Sequence, residues 1–195
     1  MSEKEKSPAK KQAATAPTVY QLKVTLRGSK PPIWRRVQVT GASSHSKLHE
    51  IIQTAMGWTN SHLHQFEIGG KYYSDPAFEL DAALNEKRTT LDRLALKAKS
   101  KFRYEYDFGD SWDHDILVEK VQPPEADVVC PRCLAGALSG PPEDCGGIWG
   151  YYDLLEITQD PDHPEHDEML EWLGEDFDPE AFDLEAINTA LRTLK

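Results

Sequence analysis

Apolar and polar residues alternate from Tyr20 to Arg27, with Tyr20, Leu22, Val24 and Leu26 against Gln21, Lys23, Thr25 and Arg27. This is the period-2 pattern of a half-buried strand. Gly28 to Pro32 interrupts it, and Ile33 to Val39 resumes it with Ile33, Arg35, Val37 and Val39 on one face. Trp34, Arg36 and Gln38 fall on the other face. An arginine on an otherwise apolar strand face needs a partner, so Arg35 or Arg36 is expected to pair with Asp107, Asp110, Asp113 or Asp144. The period then lengthens to that of a helix, where Leu48, Ile51, Ile52, Ala55 and Met56 form a stripe between a Ser46 cap and a Gly57 stop. Strand alternation returns over Ser61 to Ile68, and Gly69-Gly70 turns it into Lys71-Tyr72-Tyr73. Asp75 to Thr89 reads as a polar surface excursion, and Thr90 as the cap of a short helix carrying Leu91 and Leu94.

The sharpest signal is central. Phe102, Tyr104 and Tyr106 alternate with charged residues, Trp112, His114, Ile116 and Val118 alternate with Asp113, Asp115, Leu117 and Glu119, and Phe108-Gly109-Asp110-Ser111 between them is turn chemistry. A hairpin of residues 102–107 and 112–118 is therefore expected, with Tyr104, Tyr106, Trp112 and His114 turned inward. Pro123 to Pro142 reads as a long irregular stretch. Three helices are expected after it. The first, around Gly150 to Thr158, carries Tyr152, Leu154 and Leu155; the second, from Asp162-His163-Pro164, turns Met169, Leu170 and Leu173 inward before Gly174. The third, from Asp183, carries Leu184, Ile187, Leu191 and Leu194.

This order argues for an α+β fold: a largely antiparallel sheet, a helix after the first hairpin, and acidic C-terminal helices packed on one side. Residues 1–17 lack any hydrophobic period and read as a disordered tail. Residues 18–195 read as one domain, with a sheet-forming part (18–121), a Pro/Gly/Cys loop (122–148) and a helical part (149–195).

Charge narrows the function. The net charge is −11, and residues 141–195 hold sixteen acidic side chains against two basic ones. Duplex binding draws most of its free energy from Lys and Arg at phosphates, so duplex DNA is an unfavoured partner. No apolar run approaches the roughly 18 residues of a membrane span, and the start lacks a signal-peptide pattern. A soluble, cytoplasmic protein without a membrane partner is expected.

Several constellations could carry chemistry. Asp107, Asp110, Asp113 and Glu143-Asp144 could hold Mg²⁺ or Mn²⁺ for phosphodiester hydrolysis, or could simply bond turn backbone and arginines. His62 and His64, two apart on a strand, would share a face, a spacing that suits a transition metal or a pair of satisfied core groups. His163 and His166 flank a helix start, where solvent is the default. Pro141-Pro142-Glu143-Asp144-Cys145-Gly146-Gly147 could present an acid–base pair, or form a corner that only glycine fits. Cys130, Cys133 and Cys145 have a spacing open to a zinc site, with small buried hydrophobes as the alternative.

The blocks Pro32-Ile33-Trp34-Arg35-Arg36, Leu48-His49-Glu50, Gly57-Trp58 with His62-Leu63-His64, and Tyr106-Asp107-Phe108-Gly109-Asp110-Ser111-Trp112 occur in that order. They continue with Cys133-Leu134-Ala135-Gly136, Pro141 to Gly147, and Trp172-Leu173 with Phe177-Asp178-Pro179. Together they resemble the plasmid pRiA4b ORF-3-like family from about Val19 to Asn188. The resemblance implies bacterial and archaeal relatives, some of them passengers on insertion elements labelled resolvases, and no established activity or catalytic residue. Cys130 departs from the family's pattern. The resolvase label fits poorly: a serine or tyrosine recombinase sets its nucleophile among arginines, and no Ser or Tyr adjoins Arg35-Arg36.

Two function classes follow. The first, which the sequence favours, is a binding or adaptor module for an unknown protein or small-molecule partner. Its rim would be Trp34, Arg35, Arg36, Trp58, His62, His64, Asp107, Asp110, Trp112, His114, Glu143 and Asp144. The second is a metal-dependent hydrolase or nuclease built on the aspartates. For either, the full chain at near-physiological salt is expected to bind duplex DNA no more tightly than roughly 10⁻⁴–10⁻⁶ M. A sequence-specific gel shift at nanomolar protein would overturn this.

Overall fold

The computed structural model describes residues 17–174 and 177–194, so the expected N-terminal tail lies outside the described residues except for Pro17. Eight strands form one sheet: β1 (Val19–Leu26), β2 (Trp34–Thr40), β3 (His64–Ile68), β4 (Lys71–Ser74), β5 (Leu84–Asn85), β6 (Lys101–Tyr106), β7 (Trp112–Gln122) and β8 (Arg132–Ala137). Their order is β5-β4-β3-β6-β7-β1-β2-β8, and every pair is antiparallel except β4 with β5. The α+β architecture expected from the alternating pattern is therefore observed. Among the described residues four α-helices complete it: α1 (His45–Met56), α2 (Gly147–Gln159), α3 (His166–Leu173) and α4 (Leu184–Leu191). No helix among the described residues is long and apolar enough to cross a membrane.

The central hairpin forms as its sequence demands, with Tyr104 opposite His114 and Tyr106 opposite Trp112. All four rings are fully buried. Leu48, Ile51, Ile52 and Ala55 of α1 are buried in the same apolar cluster as Leu22, Val24, Val37 and Val39 of the sheet. Gly57 ends α1 in the left-handed region, and its N–H returns to Gln53 O.

Five expectations need correction. The cap of α1 is Ser44, not Ser46: Ser44 accepts from Lys47 N–H at 3.1 Å while its extended backbone bridges Thr90. That bridge also removes Thr90 from the capping role, and the single 3₁₀ turn at Asp92–Leu94 has no side-chain cap. The stretch from Pro123 to Pro142 contains β8, which pairs with β2 through a register shift at Arg36/Val37. An irregular ladder hides its own period. In α3, Leu170 is exposed while Met169 and Leu173 are half-buried, and Pro164 lies ahead of the helix.

The fifth correction concerns the arginines. Arg35 is buried yet contacts no carboxylate among the described residues; it donates to Ala55 O (2.7 Å), Trp34 O (2.9 Å) and Ala137 O (3.0 Å). Ala55 lies in the last turn of α1, where carbonyls lack helical partners and carry the negative end of the helix dipole. Burial lowers the Arg35 pKa to about 10, so it remains charged at neutral pH. Arg36 turns to the other face and grips Glu119 with a two-pronged contact of 2.6 and 2.8 Å.

β8 is an outer strand, and α4 packs beside it. The Asn188 side chain accepts from Cys133 N–H at 2.8 Å and donates to Cys133 O at 3.0 Å. One amide thus satisfies both main-chain groups that a further strand would otherwise bond.

Trp112 is fully buried between Trp58 and the hairpin. Trp112→Ala is expected to cost about 3–5 kcal/mol, the usual range for emptying a large aromatic site. Urea unfolding checks this, and an unchanged midpoint would contradict the burial.

Candidate functional site

Three connections meet at one end of the sheet: residues 57–63 between α1 and β3, the β6–β7 turn at 107–111, and residues 138–146 leading into α2. Trp58 packs on Tyr106 with ring centroids 5.1 Å apart and donates its indole N–H to Pro141 O at 2.8 Å. Glu143 accepts from Thr59 N–H (2.9 Å), Thr59 Oγ1–H (2.7 Å) and the Tyr106 hydroxyl. Tyr106 in turn accepts from Ser61 N–H at 2.9 Å. Burial and the adjacent Glu143 carboxylate hold the Tyr106 phenol well above its ordinary pKa, so it stays a donor.

Two glycines make the closure possible. A Cβ on Gly140 would lie 2.1 Å from Met56 O, and one on Gly147 would lie 2.2 Å from Asp110 O. Side chains at either position would force the segments apart. The Pro141–Gly147 block is thus a corner that needs glycine, and it also places a carboxylate.

That carboxylate is Asp144. His62 Nε2 lies 3.1 Å from Asp144 Oδ1, and His62 Nδ1 lies 3.7 Å from Asp107 Oδ2. One ligand atom from each of the three residues falls within a mutual 4.8 Å, a separation that a single cation could bridge. Asp107 and Asp144 both adopt left-handed backbone conformations, with φ of 57° and 61°. Asp tolerates that region better than most residues. Asp107 also accepts from Gly109 N–H at 2.9 Å, the turn role expected for an aspartate here.

His64 does not join the cluster. β3 begins at His64, so strand alternation does not extend back to His62 and the two imidazoles do not converge. His64 is buried against Glu86 (2.8 Å), and its ring stacks on His49 with centroids 3.4 Å apart. His49 Nε2 meets Asn60 Oδ1 at 2.6 Å, an acceptor that puts the imidazole proton on Nε2. Its Nδ1 then accepts from the Tyr104 hydroxyl at 2.7 Å, and that hydroxyl accepts from Gln53. This polar layer floors a cavity of about 410 Å³ lined by Asn60, Ser61, His62 and Lys87.

The expected aromatic rim is absent as a rim. Trp58, Trp112 and His114 are buried, and Trp34 is covered by Lys23 and Arg36 at 4.8 and 5.0 Å from its ring. Asp110 accepts from Gly146 N–H, and Asp113 pairs with Arg27 at 3.5 Å, away from the cluster. The three cysteines are free thiols. β8 draws Cys133 into the core, whereas Cys145 lies beside Asp110 and is pushed up to about 12 by burial and that carboxylate. The group of three or more ligating side chains found among the described residues contains no cysteine. Sequence reasoning missed His49, Glu86, Thr59, Asn60 and Ser61. The polar residues Thr59-Asn60-Ser61 directly after a helix stop were the available signal.

Fold and site together define an α+β protein with a His–Asp–Asp cluster where three loops close one end of a mostly antiparallel sheet. The chain belongs to the plasmid pRiA4b ORF-3-like family, whose model matches residues 18–186. It is 39% identical over 180 residues to the uncharacterized protein y4hQ of Sinorhizobium fredii, covering 91% of this chain and 92% of that one. The crystal structure of MM3350 from Methanosarcina mazei Go1, a protein of unknown function, aligns with a TM-score of 0.79 at 39% identity. That match covers 88% of this chain and 98% of the other. These relatives establish the family and leave the activity open.

Burial lowers the pKa of His45 to about 4, of His49 to about 3 and of His114 to about 4, with neighbouring His64 adding to the effect on His49. In the unfolded chain each binds its proton near pH 6.5. Below that pH the unfolded state takes up more protons, so stability falls with pH by about 1.4 kcal/mol per unit for each fully titrating histidine. The urea midpoint is expected to drop steeply from pH 6.5 to 4.5. A flat midpoint across that window would contradict neutral burial.

Proposed function

We propose that the chain is a divalent-cation-dependent hydrolase of a small substrate, centred on His62, Asp107 and Asp144. One observation carries this reading: one ligand atom each from His62, Asp107 and Asp144 falls within a mutual 4.8 Å, and the two carboxylates come from separate loops. A neutral imidazole has only one N–H, so two facing carboxylates call for an added positive charge. Either a second ring proton or a bound cation supplies it, and the cation reading is the one proposed. One nitrogen and two oxygen donors suit Zn²⁺ or Mn²⁺ better than Mg²⁺ or Ca²⁺. His62, Asp107 and Asp144 would hold the cation and leave a position for water, and the chemistry the cation would supply there is a more acidic, more nucleophilic water. Asp144 is exposed, so a substrate approaches from its side. The acidity of residues 141–195 argues for a small substrate over a nucleic acid.

The binding-module reading keeps one favourable observation, the exposure of Trp149, Leu170 and Trp172 on α2 and α3. In both readings the protein works in the reducing cytoplasm with its thiols free. Any travel with insertion elements makes it a passenger that does not handle DNA.

Isothermal titration with Zn²⁺ and Mn²⁺ tests the centre. His62→Ala, Asp107→Asn and Asp144→Asn are each expected to weaken binding by about tenfold or more. Asn keeps the left-handed preference of both aspartates, so the fold should persist. Binding no tighter than millimolar, or unchanged in all three variants, would remove the metal centre.

A further inference from the structure

A groove of about 340 Å³ runs between α2 and α3 and begins at Asp144. Cys145, Leu154 and Met169 give it an apolar wall, and Trp172, 48% exposed, stands at its side. Asp153 supplies a second carboxylate, and no Lys or Arg appears among the described residues lining it. The Cys145 thiol stays protonated at neutral pH, so it adds no charge to this wall. The lining is therefore apolar along one side and anionic at the edge, with an aromatic face available.

We propose that this groove binds a small alkylammonium ion, its apolar arm against Leu154 and Met169 and its charge between Asp153 and Trp172. Charge complementarity selects the occupant: a carboxylate attracts the cation, an indole face adds a cation–π contribution, and the wall takes the hydrocarbon. An anionic ligand would meet two carboxylates, and a neutral hydrocarbon would leave Asp153 without a partner. The inference rests on the hydrolase reading in one respect only. Because Asp144 borders both the groove and the cation cluster, it makes the alkylammonium the recognised part of the substrate.

Calorimetry on the full, chelator-stripped chain tests this with hexyltrimethylammonium, hexanol and hexanoate. The ammonium probe is expected to bind about tenfold more tightly than either comparison ligand. Asp153→Asn and Trp172→Leu, both at solvent-accessible positions, are each expected to weaken it by about fivefold to tenfold. Equal binding of the three probes, binding untouched by both substitutions, or no binding below about 10 mM would overturn the proposal. Metal is absent from this titration, so the two ideas separate. Ammonium binding by a protein that fails to bind Zn²⁺ or Mn²⁺ keeps the groove and removes the hydrolase. Metal binding without ammonium selectivity does the reverse.

Discussion

Glu143 is the hinge pin of the molecule's functional end. Its carboxylate accepts three hydrogen bonds, two from Thr59 and one from Tyr106, and so ties the segment after α1 and the end of β6 to the segment entering α2. Hydrogen bonds to a charged group are stronger than neutral ones, and losing such a partner inside a part-buried junction leaves several donors unpaired. Asp144 is the next residue in the chain. Its approach to His62 is therefore a by-product of how Glu143 is held, and the cluster inherits whatever rigidity that junction has. Below it, the His49–Tyr104–Gln53 network and the stacked His64 set the floor on which residues 60–62 rest.

Much of the sheet could be read directly from the sequence because its period-2 pattern is local. Tyr104, Tyr106, Trp112 and His114 announce their inward face through alternation alone, and Gly57 announces a helix end. β8 could not be read this way: its ladder to β2 shifts register, and its pattern of small residues lacks contrast. The site was legible as a collection of residues but not as an arrangement. Asp107, His62 and Asp144 were all candidates, yet so were Asp110, Asp113 and His64. What separated them was where strand β3 begins, which loop carries a left-handed aspartate, and which acid already has an arginine. None of these is a property of sequence spacing.

Arg35 shows the same limit from the other side. A buried guanidinium must be satisfied, but a carboxylate is not the group that satisfies this one. Backbone carbonyls, one of them at a helix end, satisfy it without burying a second full charge, which avoids much of the desolvation cost of an internal ion pair. Because the three carbonyls come from α1, β2 and β8, this one side chain stitches the helix to two strands. Phe182 covers its plane at 5.2 Å.

The Asn188 clamp on Cys133 has a consequence beyond local satisfaction. An unguarded outermost strand is a template, able to recruit the equivalent strand of another molecule and to continue through successive copies. Antiparallel pairing repeats its bonding pattern every two residues, so a blocked site in a six-residue strand removes much of the available register. A side-chain amide imitates the missing neighbour without offering an edge of its own. Self-association along β8 would first require α4 to lift away, which makes the last helix a guard against polymerisation.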